Sequence, residues 1–332
     1  MRIAVLGAGA VGGTIAALLD RAGHDVEVTA RGANRTAVRR SGIRLDGAWG
    51  RHTAWVRSGE TLDLVPEIAF VCTKAQDAED ALRANRRTVD GTLVVVVQNG
   101  LDGLQAAQRQ VRDARLVGAL ALFAASHLEP GRVSVTAPAT TTLGVPGRPA
   151  DDDVRRAASV LGEAVPTATT DDFLGAQWTK LLINEVNALP AITGLSVQET
   201  IADPGLRRLL ARAMKEAART GIASGVSFGA LQGLTDARVR ALAAAPLTVV
   251  ELLPRRMASG MGSVPNPGST LQSVRRGVPT EIDHLAGAVV RTASRLGREA
   301  PVNQLLVDLV HEVERTGAFL APADVVRRAS SL

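Results

Sequence analysis

The segment QWTKLLINEVNALPAITG, residues 177–194, sets one amine and two amides into an otherwise apolar stretch. On a helix Lys180, Asn184 and Asn187 stand at i, i+4 and i+7 and share one face. Leu181, Leu182, Ile183, Val186 and Leu189 cover most of the remainder. The chain has three lysines, Lys74, Lys180 and Lys215, against 35 arginines. A lysine kept in an apolar helix of such a chain asks for a chemical reason. Its ammonium can shift its pKa and give up a proton, which a guanidinium effectively cannot. Lys180 is therefore a candidate for chemistry that moves a proton.

A second group of residues is suited to phosphate. RIAVLGAGAVGGTIAALL reads as a strand, then Gly7-Ala8-Gly9-Ala10-Val11-Gly12, then a helix, with a second strand at 25–30. In that context G-x-G-x-x-G is a dinucleotide fingerprint. Gly7 permits the tight turn, Gly9 lets a pyrophosphate approach the N–H groups of the helix start, and Gly12 lets helix and strand pack closely. An NAD site usually places Asp or Glu at the end of the second strand to hold the ribose 2′-OH. Here Thr29 and Ala30 are followed by Arg31, with Arg35 nearby, and Glu27 comes too early. A guanidinium there fits a 2′-phosphate, so NADP is the expected cofactor.

Ligands of open α/β sheets bind beyond the carboxyl ends of the strands. FVCTKAQD puts Lys74 there and VVVVQNGLDG puts Asn99 there, although Asn99-Gly100 reads equally well as a simple turn. Farther on, NPGSTLQSVRRGVPTEIDHL offers Ser269, Gln272, Glu281 and Asp283. Glu281 by itself also reads as an acidic residue stabilising a helix N-terminus. The five histidines are scattered, no His–Cys or His–carboxylate spacing suggests a metal or a catalytic triad, and Cys72 lies in an apolar strand.

The elements that must position these groups follow from the apolar pattern. Strands at 2–7, 25–30, 68–73 and 92–97 alternate with helices at 11–22, 76–85 and 102–112, which argues a parallel, helix-flanked sheet. The stretch LVGALALFAASHLEPGRVSVTAPATTTLGV reads as three β runs turning at Glu129-Pro130-Gly131, an antiparallel extension of that sheet. A helix at 153–163 and a last strand at TATT follow. From about 171 the pattern is helical, over 171–194, 204–224, 235–245, 277–297 and 301–316, with a Gly- and Pro-rich loop at 258–270. The boundary falls near 168–172, and a cleft between two domains is the expected ligand site.

At 332 residues and 46% hydrophobic, the chain can build two cores. The formal charge of +5 comes from scattered arginine pairs, and aromatics are 2%, which argues against nucleic acid and suits a small anionic ligand. No apolar run reaches the ~20 residues of a membrane helix. The glycine-rich N-terminal run lacks a cleavage pattern, so no signal peptide and no membrane association are expected. One cysteine excludes an internal disulfide, and a cytoplasmic location is expected.

The order and spacing of these pieces resemble the ketopantoate reductase (2-dehydropantoate 2-reductase) family nearly end to end. The likeness rests on GAGAVG at 7–12, Arg31, TKA at 73–75, QNG at 98–100, WTKLLIN at 178–184, NALPAITG at 187–194 and GST-LQ…PTEID at 268–283. It implies an α/β, Rossmann-type, doubly wound NADP-binding domain over 1–170. An all-helical substrate domain like the C-terminal domain of 6-phosphogluconate dehydrogenase would follow over 171–332. It also implies NADPH-dependent reduction of 2-dehydropantoate to (R)-pantoate, in pantothenate biosynthesis. Lys180 would be the general acid for the developing alkoxide, with Asn184, Asn187, Ser269, Glu281 and Asn99 at the substrate. Gly7, Ala8, Gly9, Ala10, Val11, Gly12, Arg31, Lys74 and Asn99 would be at the cofactor.

Three positions depart from the family pattern. The usual N-x-x-x-N is N-x-x-N here, Ser273 stands where aspartate is usual, and Asp77 where glutamine is common. A reductase of another small 2-oxo acid and a non-catalytic NADP-binding sensor are the rival readings. Oligomeric state stays open, with a homodimer as the form to test.

Overall fold

A computed structural model describes residues 1–262, 264–330 and 332. The chain divides into two compact units, Met1–Phe173 and Leu174–Leu332. The first is built on strands β1 (Arg2–Leu6), β2 (Asp25–Thr29), β3 (Ile43–Gly47), β4 (His52–Ala54), β5 (Arg57–Gly59), β6 (Ile68–Val71), β7 (Leu93–Val97), β8 (Arg115–Ala121), β9 (Ala124–Glu129), β10 (Arg132–Ala137), β11 (Thr141–Gly144) and β12 (Thr167–Thr169). Helices α1 (Ala10–Arg21), α2 (Gly32–Ser41), α3 (Ala75–Ala84), α4 (Arg86–Val89), α5 (Gly103–Gln110) and α6 (Asp152–Gly162) complete it.

The main sheet runs β12-β11-β8-β7-β6-β1-β2-β5 and is parallel except where β11 meets β8. Its central strands are continuous apolar runs because both faces are covered. Side chains alternate between faces. Ile3, Val5, Val28, Phe70 and Val95 join one core with α1. Ala4, Leu6, Ala69, Val71 and Val96 join the other, with Ala78 and Leu82 of α3. The chain leaves β1 for β2 on one side and returns to β6 on the other, so the switch point of the winding lies at the carboxyl end of β1.

The antiparallel extension differs from its expected form. Four strands, not three, occupy 115–144. β8 extends the parallel sheet beside β7 and β11 turns back on it. The hairpin of β9 and β10 leaves that sheet and forms a second one, β4-β3-β10-β9, with β10 parallel to β3.

The second unit is helical. It holds α7 (Phe173–Asn184, beginning at the boundary), a 3₁₀ turn at Glu185–Asn187, α8 (Ala188–Thr193), α9 (Val197–Ala202), α10 (Pro204–Ala223), α11 (Asp236–Ala244), α12 (Leu247–Val250), α13 (Leu252–Ser259), α14 (Gly268–Arg275), a 3₁₀ turn at Ile282–His284, α15 (Ala286–Arg295), α16 (Pro301–Thr316) and α17 (Pro322–Ala329). The axial element is α10. Asp203 caps it by accepting from the Leu206 N–H at 2.8 Å, and Pro204 sits in its first turn, where a missing N–H costs nothing. Leu206, Leu210, Ala213, Met214, Ala217 and Gly221 run down its buried face. Around it pack α9, α11, α12, α13, α15, α16 and α17. Where a helix was expected over 277–297, Gly277 takes φ +61° and regular α-helix begins only at Ala286. Among the described residues no helix is long and apolar enough to cross a membrane.

Candidate active site

The fingerprint loop occupies the switch point. Gly7 has φ +97°, which a side chain would oppose. A Cβ on Gly12 would stand 2.0 Å from the Gly7 carbonyl oxygen and 2.7 Å from Cβ of Cys72. Gly12 is therefore what lets α1 start directly over β1 and β6. A Cβ on Gly9 would meet nothing within 4 Å, so the loop is open at the position where a pyrophosphate would approach. The helix-start N–H groups of α1 have no intrahelical acceptor, which fits them to an anion.

The loop is held from three sides. The Gly7 N–H donates to Thr29 Oγ1 at 3.0 Å, and the Ala8 N–H to the Thr29 carbonyl at 3.1 Å. Asn34 Nδ2 donates to the Ala8 carbonyl at 2.8 Å, while Asn34 Oδ1 accepts the Gly131 N–H at 2.8 Å. Asn34 thus ties the loop to the β9–β10 turn, a role that no local motif signals. The Thr73 methyl and backbone stand against Gly7, and the Thr73 hydroxyl is buried without a hydrogen-bond partner among the described residues.

Arg31 is exposed at the N-cap of α2, directly after β2, and makes no ion pair among the described residues. Its expected helper Arg35 is engaged with Glu60 at 2.7 Å. The buried Glu27 carboxylate is committed to the backbone N–H groups of Asp63 and Leu64, at 2.8 and 3.4 Å. Lys74 caps α3 just past β6, and Asn99 lies just past β7; both are half-buried. The Gln98 side chain joins their two loops by donating to the Thr73 carbonyl at 3.0 Å and the Lys74 carbonyl at 3.4 Å.

In the helical unit the stripe of amine and amides does not lie on one regular helix. α7 ends at Asn184, and Glu185–Asn187 wind as a 3₁₀ turn before α8. The physical reason is Pro190, whose ring collides with the carbonyl four residues back, at Val186, and which cannot donate to it. Tighter winding also absorbs the one-residue shortening of N-x-x-N. Asn187 Nδ2 still reaches the Asn184 carbonyl at 3.1 Å and Asn184 Oδ1 at 3.5 Å. Asn187 Oδ1 accepts the Ser269 N–H at 3.1 Å. A Cβ on Gly268, at φ +70°, would stand 2.6 Å from that Oδ1, so glycine there permits the contact. Ser273 takes the usual aspartate position and donates to the Ser269 carbonyl at 3.3 Å.

Lys180 is 8% exposed. Burial pulls its ammonium down to about 8, and the Glu281 carboxylate opposes that pull. Glu281 is half-buried and opens a 3₁₀ turn rather than a full helix. Asp283, beside it, is taken by His311 Nε2 at 3.0 Å. The helical unit therefore gathers Lys180 with Glu281, and Asn184 with Asn187 and Ser269. The α/β unit gathers residues 7–12 with Arg31, and Lys74 with Asn99.

Two family models match the chain: "Ketopantoate reductase PanE/ApbA" over residues 3–147 and "Ketopantoate reductase PanE/ApbA C terminal" over residues 172–314. A 2-dehydropantoate 2-reductase of Halobacterium salinarum is 30% identical, over 96% of this chain and 100% of its own. A PanE/ApbA family ketopantoate reductase from Ralstonia eutropha JMP134 superposes with a TM-score of 0.80 at 28% identity, covering 95% of this chain and 99% of the other. A D-mandelate dehydrogenase with NADH and anilino(oxo)acetate bound shares the fold, at a TM-score of 0.79 and 20% identity over 95% and 99% of the two chains. With both halves of the chain matched, the protein belongs to the ketopantoate reductase family of oxidoreductases.

Proposed function

We propose that the chain reduces 2-dehydropantoate to (R)-pantoate with NADPH, and that Lys180 is its general acid. The observation that carries this reading is a buried ammonium, lowered to about 8, next to a carboxylate and on the same short stretch as two asparagines, the second of which accepts the Ser269 N–H. The nicotinamide supplies the hydride. When the ketone carbon becomes tetrahedral its oxygen gains charge, and Lys180 stabilises that oxygen and gives it a proton. Asn184 and Asn187 hold substrate oxygens without adding charge, the Ser269 region receives the carboxylate, and Glu281 accepts from the substrate hydroxyl. Gly7 to Gly12 hold the pyrophosphate, Arg31 the 2′-phosphate, and Lys74 and Asn99 flank the nicotinamide end. The test is kcat/KM for 2-dehydropantoate against a panel of small 2-oxo acids. A preference for another member of the panel transfers the assignment to that acid, a reading that the shortened N-x-x-N spacing favours. Nucleotide binding with no turnover of any 2-oxo acid would leave a sensor.

Cofactor choice has its own test at Arg31. A charge-assisted contact to phosphate contributes about 1.5–3 kcal/mol, or roughly ten- to a hundredfold in affinity. The wild type is expected to prefer NADPH over NADH by at least about tenfold in kcat/KM. Arg31→Ala should erode that preference by weakening NADPH alone, and added salt should mimic part of the loss. Equal use of both cofactors by the wild type, or an equal loss for both in the variant, would remove Arg31 from phosphate recognition.

A further inference from the structure

The third lysine has no part in this chemistry. Lys215 lies on α10, where Arg212, Glu216 and Arg219 share its face at i, i+3, i+4 and i+7 spacing. That face borders a cavity of about 350 Å³ that is also lined by Arg298 and Glu299, in the loop before α16. Four cations therefore meet two carboxylates. One carboxylate is already committed: Glu216 accepts the Val302 N–H at 3.1 Å, the Asn303 N–H at 2.7 Å and Asn303 Nδ2 at 2.7 Å. Its charge is spent on the positive N-terminus of α16. Among the described residues, Arg212, Lys215, Arg219 and Arg298 make no ion pair.

Helix capping explains part of this arrangement. Arg212 Nη1 donates to the Ala329 carbonyl at 2.9 Å, Arg219 Nε to the Ala243 carbonyl at 3.2 Å, and Lys215 Nζ to the Ala245 carbonyl. These bonds fix three side chains beside the cavity and use one donor of each, where a guanidinium has five and an ammonium three. The exposed Arg298 side chain makes no hydrogen bond among the described residues, so capping does not explain it. Burial and the Arg219 charge both push the Lys215 ammonium down, as expected for like charges held together.

We propose that this cavity binds a small molecule carrying a di- or triphosphate group. The volume lies at the lower end of the range for small-molecule sites. A compact polyanion satisfies several fixed cations at once, and the planar guanidinium fork matches phosphate oxygens. The proposal does not rest on the reductase reading.

The test is calorimetric titration of the full chain with inorganic pyrophosphate and with ADP. NADPH is kept in excess so that the fingerprint loop does not take the probe. One saturable site per chain is expected, weakened at least about tenfold by Arg298→Glu and by Arg219→Glu and unchanged by Arg31→Ala. Thermal melting of each variant checks its folding, and Arg298 is the decisive position because its side chain holds no structural bond. Equal binding of the two probes would mean that phosphate alone is read, and tighter ADP binding would make the ligand a nucleotide. No saturable binding to the wild type, wild-type binding by the folded Arg298→Glu variant, or loss that follows Arg31 would overturn the proposal.

Discussion

Lys180→Ala should lower kcat for 2-dehydropantoate reduction by about two to four orders of magnitude, the usual scale for losing a positioned acid. NADPH affinity should change little, since Gly7 to Gly12 and Arg31 lie in the other unit. The wild-type pH profile supplies an independent readout. The acid works only while it carries its proton, so kcat/KM should be flat below about 8 and fall above it. That descending limb should vanish in the variant. Lys180→Arg separates charge from proton transfer: a guanidinium keeps the positive charge but gives up no proton, so it should not restore turnover. Near-wild-type turnover in Lys180→Ala, or a limb that persists there, would take Lys180 out of the mechanism.

How much of this was legible beforehand differs between fold and site. β1, β6 and β7 were readable because strands covered on both faces are continuous apolar runs, and β2, DVEVT, because its valines alternate with polar residues as β-branched residues of a strand do. β3, β4 and β5 were not, because IRLDG, HTA and RSG are short, partly exposed and polar. The pairing of β10 with β3 joins Ser134 to Asp46, and a partner so distant in sequence leaves no local trace. In the site, residue types carried Lys180, Asn184, Ser269, Glu281 and the glycines as candidates. The 3₁₀ turn at Glu185–Asn187 follows only when Pro190 is read as a constraint on the turn before it. Asn34 and Gln98 were missed because their role is to tie together loops that meet only in three dimensions. The commitment of Glu27 to Asp63 and Leu64 is of the same kind. Sequence position alone ruled Glu27 out as a ribose ligand, and its hydrogen bonds now supply the physical reason.

Glu185 carries the largest expected effect on stability. It follows Asn184 directly, is 3% exposed, and neither carboxylate oxygen has a hydrogen-bond partner among the described residues. Burial, and then the Glu216 charge, raise its carboxyl from an ordinary 4.5 to about 8. A raised acid is a stability statement with a definite sign. Below about 4.5 both the folded and unfolded chains hold the proton, and the group costs nothing extra. Between 4.5 and 8 the unfolded chain releases the proton while the folded chain keeps it, so stability falls as pH rises. Above 8 the penalty is fully present. Each pH unit inside that window is worth about 1.4 kcal/mol, or roughly 4 kcal/mol between pH 5 and pH 9. Glu185→Gln keeps the shape of the protonated acid and removes the titration. The variant should therefore match the wild type in denaturant unfolding at pH 5 and exceed it by a few kcal/mol at pH 9. A gain of equal size at both values would mean that the effect is packing, and no gain at pH 9 would mean that Glu185 is ionised in the folded chain at an ordinary cost.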